Sequence, residues 1–433
     1  MNRLLFDRQS GSPLRPEVWE AMEPWLRSRH GDPSAVHQEG LEARDALEKS
    51  RESVAACLGA GSPEEITFTS CGTEAMNLAL LGAAANAESS RRHIISTGLE
   101  HPAIAEPLRH LEKRGFTITR VQVESDGSIP VERVQELITE ETFLIATHWG
   151  HHEFGTVQPI EALGKLALER GVLLALDGVA AAGYLDLKVP PGVSMLSLST
   201  HRFGGPRGMG VLFKRRGVRL EPLLFGGSQE MGLRAGSENL PAIIGGAKAL
   251  ELATSELGST RESTGKVTRV LWNTIEERVP YVKLNGPRWG NDRLPQLLHV
   301  SVEFVEGEAL VLAGDFAGLA LSSGHACANQ SLRVSPSMQA VGLPYSLAVG
   351  SVRFSVDRNH TVEQAEAAAE RFSSVVAKVR GMSEEWLAFE RGERESALLP
   401  VDFLLDSEET KALRLKSRSS PDSPDRRLPD WKA

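Results

Sequence analysis

Apolar strand-like runs alternating with helical patterns constrain this chain more than any other feature. The runs are Glu65–Thr69, His93–Ser96, Phe116–Val121, Phe143–Thr147, Val172–Asp177, Met195–Leu198 and Gly210–Phe213. Helical patterns such as Glu74–Asn86 and Ile160–Arg170 lie between them. Strands this continuously apolar belong to a parallel or mostly parallel sheet with both faces covered, which makes the fold class α/β. From about Ile243 to Val279 the pattern is mainly helical, with breaks expected at Gly258 and Gly265. A second domain is expected over roughly residues 280 to 384, with strands near Leu298–Val302 and Ser351–Ser355 and its last helix over Val362–Arg380.

A chain of 433 residues, 41% hydrophobic and 24% charged, has enough apolar surface for a large core and needs no disulfide staples. Its three cysteines, Cys57, Cys71 and Cys327, share no metal-like spacing, which points to a reducing, cytoplasmic setting. A net charge of −9 argues against a nucleic-acid binder. The N-terminus lacks a secretory pattern, and no uncharged apolar run reaches the roughly 18 residues of a membrane span. The Ser/Pro/charge-rich stretch from Lys416 onward is expected to be disordered.

Several segments carry chemistry. Thr69-Ser70-Cys71-Gly72-Thr73-Glu74 follows a strand and opens a helix, an arrangement that binds anions; a plain N-cap on Ser70 or Thr73 is the simpler alternative. Asp177 ends the run VLLALD, where open α/β sheets bind ligands, although it too has an N-cap alternative. Ser199-Thr200-His201-Arg202 precedes a glycine-rich run and offers hydroxyls and a cation to a phosphate, or else forms a simple loop. His148, His151 and His152 lack a matching ligand set at a metal spacing, so no metal is expected, and they read as a loop of polar surface histidines. Cys327 lies among Gly, Ser, His and Asn, which suits an exposed, reactive thiol as well as an inert one. Cys57 reads as a small buried hydrophobe in a helix.

In order along the chain, FTSCGTEAMNLAL, EHPAI, HHEFGTVQPI, LALDG, SLSTHRFGGPRGMGVLF, FGGSQEMGLRAGSENLP, SSGHACANQSL and GSVRFSV resemble the cysteine desulfurases of the class V aminotransferase family, over roughly residues 4 to 392. The resemblance implies a fold type I, pyridoxal phosphate-dependent protein: a three-layer α/β/α large domain, a smaller α/β domain and a homodimer with sites at the subunit interface. The expected division is 1–14 packing with the small domain, 15–255 as the large domain, 256–384 as the small domain and 385–433 as an extension. It implies that His101 stacks on the cofactor ring and Asp177 pairs with the ring nitrogen. Thr73, Ser199 and His201 would hold the phosphate, with Ser237 supplied by the other subunit. Arg353 would bind the carboxylate of L-cysteine. Cys327 would carry the sulfur as a persulfide to an acceptor protein, from a loop resembling that of the long-loop group.

Four positions depart from the family pattern. The lysine that holds the cofactor as a Schiff base is matched by Arg202, whose guanidinium stays protonated and can be neither nucleophile nor base. An asparagine is matched by His152 and a glutamine by Ala180, both at cofactor contacts; a stretch of small residues and threonine is matched by Asp7-Arg8-Gln9-Ser10-Gly11-Ser12. Lys214, the nearest lysine, follows a strand and lies far along the chain from this motif. Three functions then fit: a sulfur-mobilising enzyme holding pyridoxal phosphate non-covalently, with His101 or His152 as base; a lysine-independent enzyme using the amine form of the cofactor; and a non-catalytic binding or regulatory relative.

Overall fold

The computed structural model describes residues 3–290, 292–324 and 334–398. Its strands are β1 (Leu4–Leu5), β2 (Ile66–Thr69), β3 (His93–Thr97), β4 (Thr117–Val121), β5 (Thr142–His148), β6 (Leu173–Asp177), β7 (Met195–Ser199), β8 (Gly210–Lys214), β9 (Val282–Leu284), β10 (Leu297–Val302), β11 (Leu319–Ala320), β12 (Ser322–Ser323) and β13 (Ser351–Ser355). The α-helices are α1 (Pro16–Arg27), α2 (Gln38–Leu58), α3 (Gly72–Ala85), α4 (Pro102–Glu112), α5 (Val131–Leu137), α6 (Ile160–Arg170), α7 (Leu240–Ser255), α8 (Leu257–Arg278), α9 (Gly307–Phe316), α10 (Pro336–Ala340), α11 (Tyr345–Val349), α12 (Val362–Arg380) and α13 (Glu384–Glu390).

The main sheet has seven strands in the order β2-β8-β7-β6-β5-β3-β4. Only β8 runs against its neighbours, so the sheet is mostly parallel. Successive side chains along each strand feed opposite faces. Ile95, Ile145, Leu174 and Leu176 join one core with residues of α1, α2, α6 and α7. Ile94, Leu144, Ala146 and Ala175 join the other, with residues of α3 and α4. Helices on both faces make three α/β/α layers. The edge strand β4 is half-exposed, and its Thr-Ile-Thr-Arg sequence fits that place.

A second sheet, β12-β13-β10-β9, packs on α8, α9 and α12 around its own core. Leu4 and Phe6 insert into that core, and β1 pairs in parallel with β11. The N-terminal segment thus starts in the small sheet's layer and then runs to the main sheet, where the Ser12 N–H donates to the His201 carbonyl at 2.9 Å.

One local expectation needs correction. The helical stretch after Leu240 breaks at Glu256, not at Gly258 or Gly265, which both lie inside α8. Glu256 is held there by Arg15, whose Nη1 and Nη2 donate to it at 2.9 and 2.8 Å. The helix expected over Val362–Arg380 forms as α12, and α13 follows it, with Trp386 under the Arg380 guanidinium at 4.6 Å.

Candidate functional site

The main sheet brings the C-terminal ends of β2, β3, β5, β6 and β7 to one edge, where open α/β sheets bind ligands. The residues just beyond those ends line a cleft with about 560 Å³ of free space: Thr73 after β2, His101 after β3, His148 and His152 at and after β5, Asp177 and Ala180 at and after β6, and Ser199, His201 and Arg202 at and after β7. Gln9 enters from the N-terminal segment. Thr73 and Arg202, 129 positions apart, therefore share one site because the parallel strands all end on the same side.

One end of the cleft suits an anion. The amino end of α3 opens onto it, with Thr73 in the first turn. The N-cap is Cys71, not Ser70 or Thr73; its Sγ accepts from the Glu74 N–H at 3.5 Å. Gly72 permits the close approach, since a β-carbon there would sit 2.6 Å from Val179 Cγ2. Ser199 Oγ lies 2.9 Å from His201 Nδ1. Burial, then the charges of Arg202 and Arg207, push the His201 ring down to about pKa 4. At neutral pH His201 therefore offers an N–H and no charge, leaving positive potential to Arg202 and the helix end.

Asp177 is buried at the end of β6, and its Oδ1 accepts from the Val179 N–H at 2.9 Å. His101 caps α4, accepting from the Ala103 N–H through Nδ1 at 3.1 Å. Its ring meets that of His152 edge-on, with centroids 5.1 Å apart. Burial lowers the pKa of both; Asp177 partly offsets this at His101, and the charges of Arg353 and Arg202 add to it at His152.

The histidines after β5 do not lie on the surface, contrary to expectation. His148 and His151 are buried, and the rings continue from His152 to His151 at 4.7 Å and to His148 at 5.0 Å. The segment is folded inward because His151 takes backbone partners: its Nδ1 accepts from the Phe154 N–H at 3.0 Å, so Nε2 donates to the Leu99 carbonyl at 3.0 Å. Gln158 accepts from the Ile129 N–H through Oε1 (3.0 Å), and its Nε2 donates to the Gly127 carbonyl and to His148 Nε2, both at 2.9 Å. That fixes the His148 proton on Nδ1, donated to Glu100 at 3.0 Å. Glu100 also accepts from Thr97 and Thr147, at 2.7 and 2.9 Å. Sequence reasoning missed this support, because nothing local marks Glu100 as buried.

Arg353, on β13, is buried beside the cleft and is not one of its lining residues. Its Nη1 donates to the His152 carbonyl at 3.2 Å and its Nη2 faces Asp7 at 3.9 Å. Ser237 is exposed on the segment before α7, away from the cleft. Cys327 lies outside the described residues. Lys214 pairs with Met195, at the opposite end of β7 from Ser199, and its Nζ donates to the Val218 carbonyl at 3.2 Å. Among the described residues no lysine lines the cleft.

The chain matches the model of the class-V aminotransferases over residues 4–367. It is 38% identical to cysteine desulfurase IscS of Dictyoglomus turgidum over 384 residues, covering 88% of this chain and 97% of that protein. A cysteine desulfurase of Nostoc sp. is also 38% identical, over 88% of this chain and 95% of its own length. Among solved structures, a NifS-like protein superposes with a TM-score of 0.81 at 31% identity, covering 87% of this chain and all of that one. The structure entitled SspA in complex with cysteine gives 0.72 at 32% identity, over 82% of this chain and 98% of that one. The likeness thus runs over nearly the whole length of these relatives, and the chain belongs to the cysteine desulfurase family of class-V aminotransferases, which are pyridoxal phosphate-dependent proteins of fold type I.

Proposed function

We propose that this protein holds pyridoxal phosphate non-covalently and has lost the lysine-dependent turnover of L-cysteine, keeping the fold, the cofactor cleft and a sulfur-accepting thiol at Cys327. The observation that carries this is Arg202 in the cleft together with the absence of lysine from its described lining. The donor set fits the cofactor at two points. The amino end of α3, Thr73, Ser199 and the neutral His201 suit its phosphate, and the buried Asp177 carboxylate suits its ring nitrogen. When bound, the cofactor acts as an electron sink for bonds at an amino acid's α-carbon. His101 supplies a flat neutral ring beside Asp177, and Arg353 a buried guanidinium for the carboxylate of L-cysteine. Arg202 adds fixed positive charge and cannot take up a proton.

A homodimer accompanies this function. Leu223, Leu224 and Met231 are exposed and Phe225 is 79% exposed, on the segment leading to Ser237. An apolar cluster of this kind is ordinarily covered, and a partner subunit would bring its Ser237 to the neighbouring cleft. Among the described residues no helix is long and apolar enough to cross a membrane. A cytoplasmic location and a sulfur-acceptor protein as partner complete the proposal.

A second function is favoured by one observation: His101 and His152 are in ring contact in the cleft, and both are held neutral. A neutral imidazole can accept a proton, so a slow lysine-independent reaction has a candidate base. One experiment separates these functions. The purified protein is loaded with pyridoxal phosphate, treated with borohydride or dialysed, and assayed for sulfide release from L-cysteine. The proposal expects a dialysable chromophore, no cofactor fixed on lysine and no sulfide above the protein-free rate. Cofactor mapped to a lysine would refute it, and sulfide release with no such lysine would favour the histidine-based reaction.

A further inference from the structure

Gln9 is a buried group that the proposed function leaves without a role. It lies in a short 3-10 turn after β1, and its backbone N–H donates to Ser355 Oγ at 2.7 Å. The residue is 6% exposed and lines the cleft with His152, Ala180 and Arg202. Its Nε2 is buried and has no hydrogen-bond partner among the described residues. A buried amide N–H left unpaired costs stability, and folded proteins rarely keep one without a reason. A ligand in the cleft that this residue lines would supply the missing acceptor.

We propose that Gln9 is a ligand-binding residue whose side-chain amide donates a hydrogen bond to a non-phosphate oxygen of pyridoxal phosphate held in the cleft. The proposal rests on the cleft holding that cofactor. The phosphate is excluded as the acceptor on position. Its cradle is built from α3 and the end of β7, and the N-terminal residue that reaches His201 is Ser12. Gln9 is tied instead to β13, the strand that carries Arg353. Ala180 brings only a methyl group to the same lining, so it offers no side-chain donor of its own.

Gln9→Met keeps the length and removes the donor. In the full chain, spectral titration should show pyridoxal phosphate binding about tenfold weaker than in the parent, the effect of one hydrogen bond. Inorganic phosphate, titrated by thermal shift, should bind both proteins alike. Without ligand, Gln9→Met should melt at the same temperature as the parent or higher, because an unpaired buried donor has gone. Unchanged cofactor affinity would overturn the proposal. So would a lower melting temperature without ligand, which marks a structural role, or an equal loss of phosphate affinity, which would place Gln9 in the phosphate cradle. If the parent binds no pyridoxal phosphate, the cofactor assignment fails and this proposal with it. If the parent binds and Gln9→Met binds equally, only this proposal fails.

Discussion

Placing lysine at position 202 tests the proposed function, in which Arg202 and its neighbours in the cleft set this protein apart from a working desulfurase. Arg202→Lys alone should not restore full activity. The backbone would accept the change, since the Arg202 carbonyl is fixed by Ser12 Oγ at 3.0 Å and a lysine would start from the same anchor. A lysine in this half-buried site, beside neutral histidines, can also be tuned toward the neutral amine. The rest of the cleft would remain altered. Ala180 leaves out one carboxamide donor, worth about tenfold if its hydrogen bond orients a ligand. The His152 ring stands edge-on to His101 at 5.1 Å, where a smaller asparagine would leave room and present an amide. Loose positioning of about 1 Å costs roughly a hundredfold in rate. The two effects share one cleft and need not multiply, so at least about a hundredfold should separate Arg202→Lys from Arg202→Lys/His152→Asn/Ala180→Gln. Sulfide release from L-cysteine under a thiol reductant measures both, each loaded with pyridoxal phosphate and checked by its spectrum. Equal, high activity in the two variants would refute the reasoning and leave the lysine as the only missing part.

Glu230 accepts from Arg51 at 2.8 and 2.9 Å and from the Phe68 N–H at 2.7 Å, all buried, so Glu230→Gln should cost about 3–5 kcal/mol in urea unfolding, and Arg51→Met/Glu230→Met should recover most of it. The folded pKa of His201, about 4, lies below the ordinary 6.5, so the unfolded chain binds the proton first and stability should fall as pH drops from about 6.5 toward 4. Urea midpoints across that range should show a shallower decline for His201→Gln, with the buried His151 and His152 supplying what remains. Timed alkylation with peptide mapping should label Cys327 before Cys57, which is half-buried with its thiol pushed up by burial, and before Cys71, whose Sγ caps α3.

The main sheet was legible because its strands are buried on both faces. Val172–Asp177 and Met195–Leu198 are continuous apolar runs, and β6 and β7 coincide with them to within a residue at either end. The helix break was misplaced for a physical reason. Gly258 lies in the first turn of α8, where no neighbour would touch a β-carbon, so it breaks nothing. The break sits instead at a glutamate whose arginine partner is 241 residues away, which no local pattern reports. The same limit applied in the cleft. Asp177 and Ser199 stand at strand ends, a position that periodicity reveals. The burial of His151 depends on Leu99, 52 residues back, and on Ser337, 186 residues ahead, while Gln9 arrives from the opposite end of the chain.

The places of the four departures bear on whether they arose one by one. Arg202, His152, Ala180 and Gln9 sit on four segments, after β7, β5, β6 and β1, yet all line the same cleft. None lies in a strand: they stand beyond the strand ends, and of the four only Ala180 also belongs to the main core. Substitutions at the other three positions leave the apolar cores largely untouched and act mainly on what the cleft can hold. The anion-binding end would be expected to decay as freely if the cleft had no ligand, because Thr73 and Ser199 also stand in or beside turns. That end has hydroxyls, a helix end and the neutral His201, and Arg202 beside it carries a permanent cation. On the proposed function, a cleft with this helix end and a fixed charge at Arg202 would bind a phosphorylated ligand and hold it. The first quantity to measure is therefore the affinity for pyridoxal phosphate, ahead of turnover.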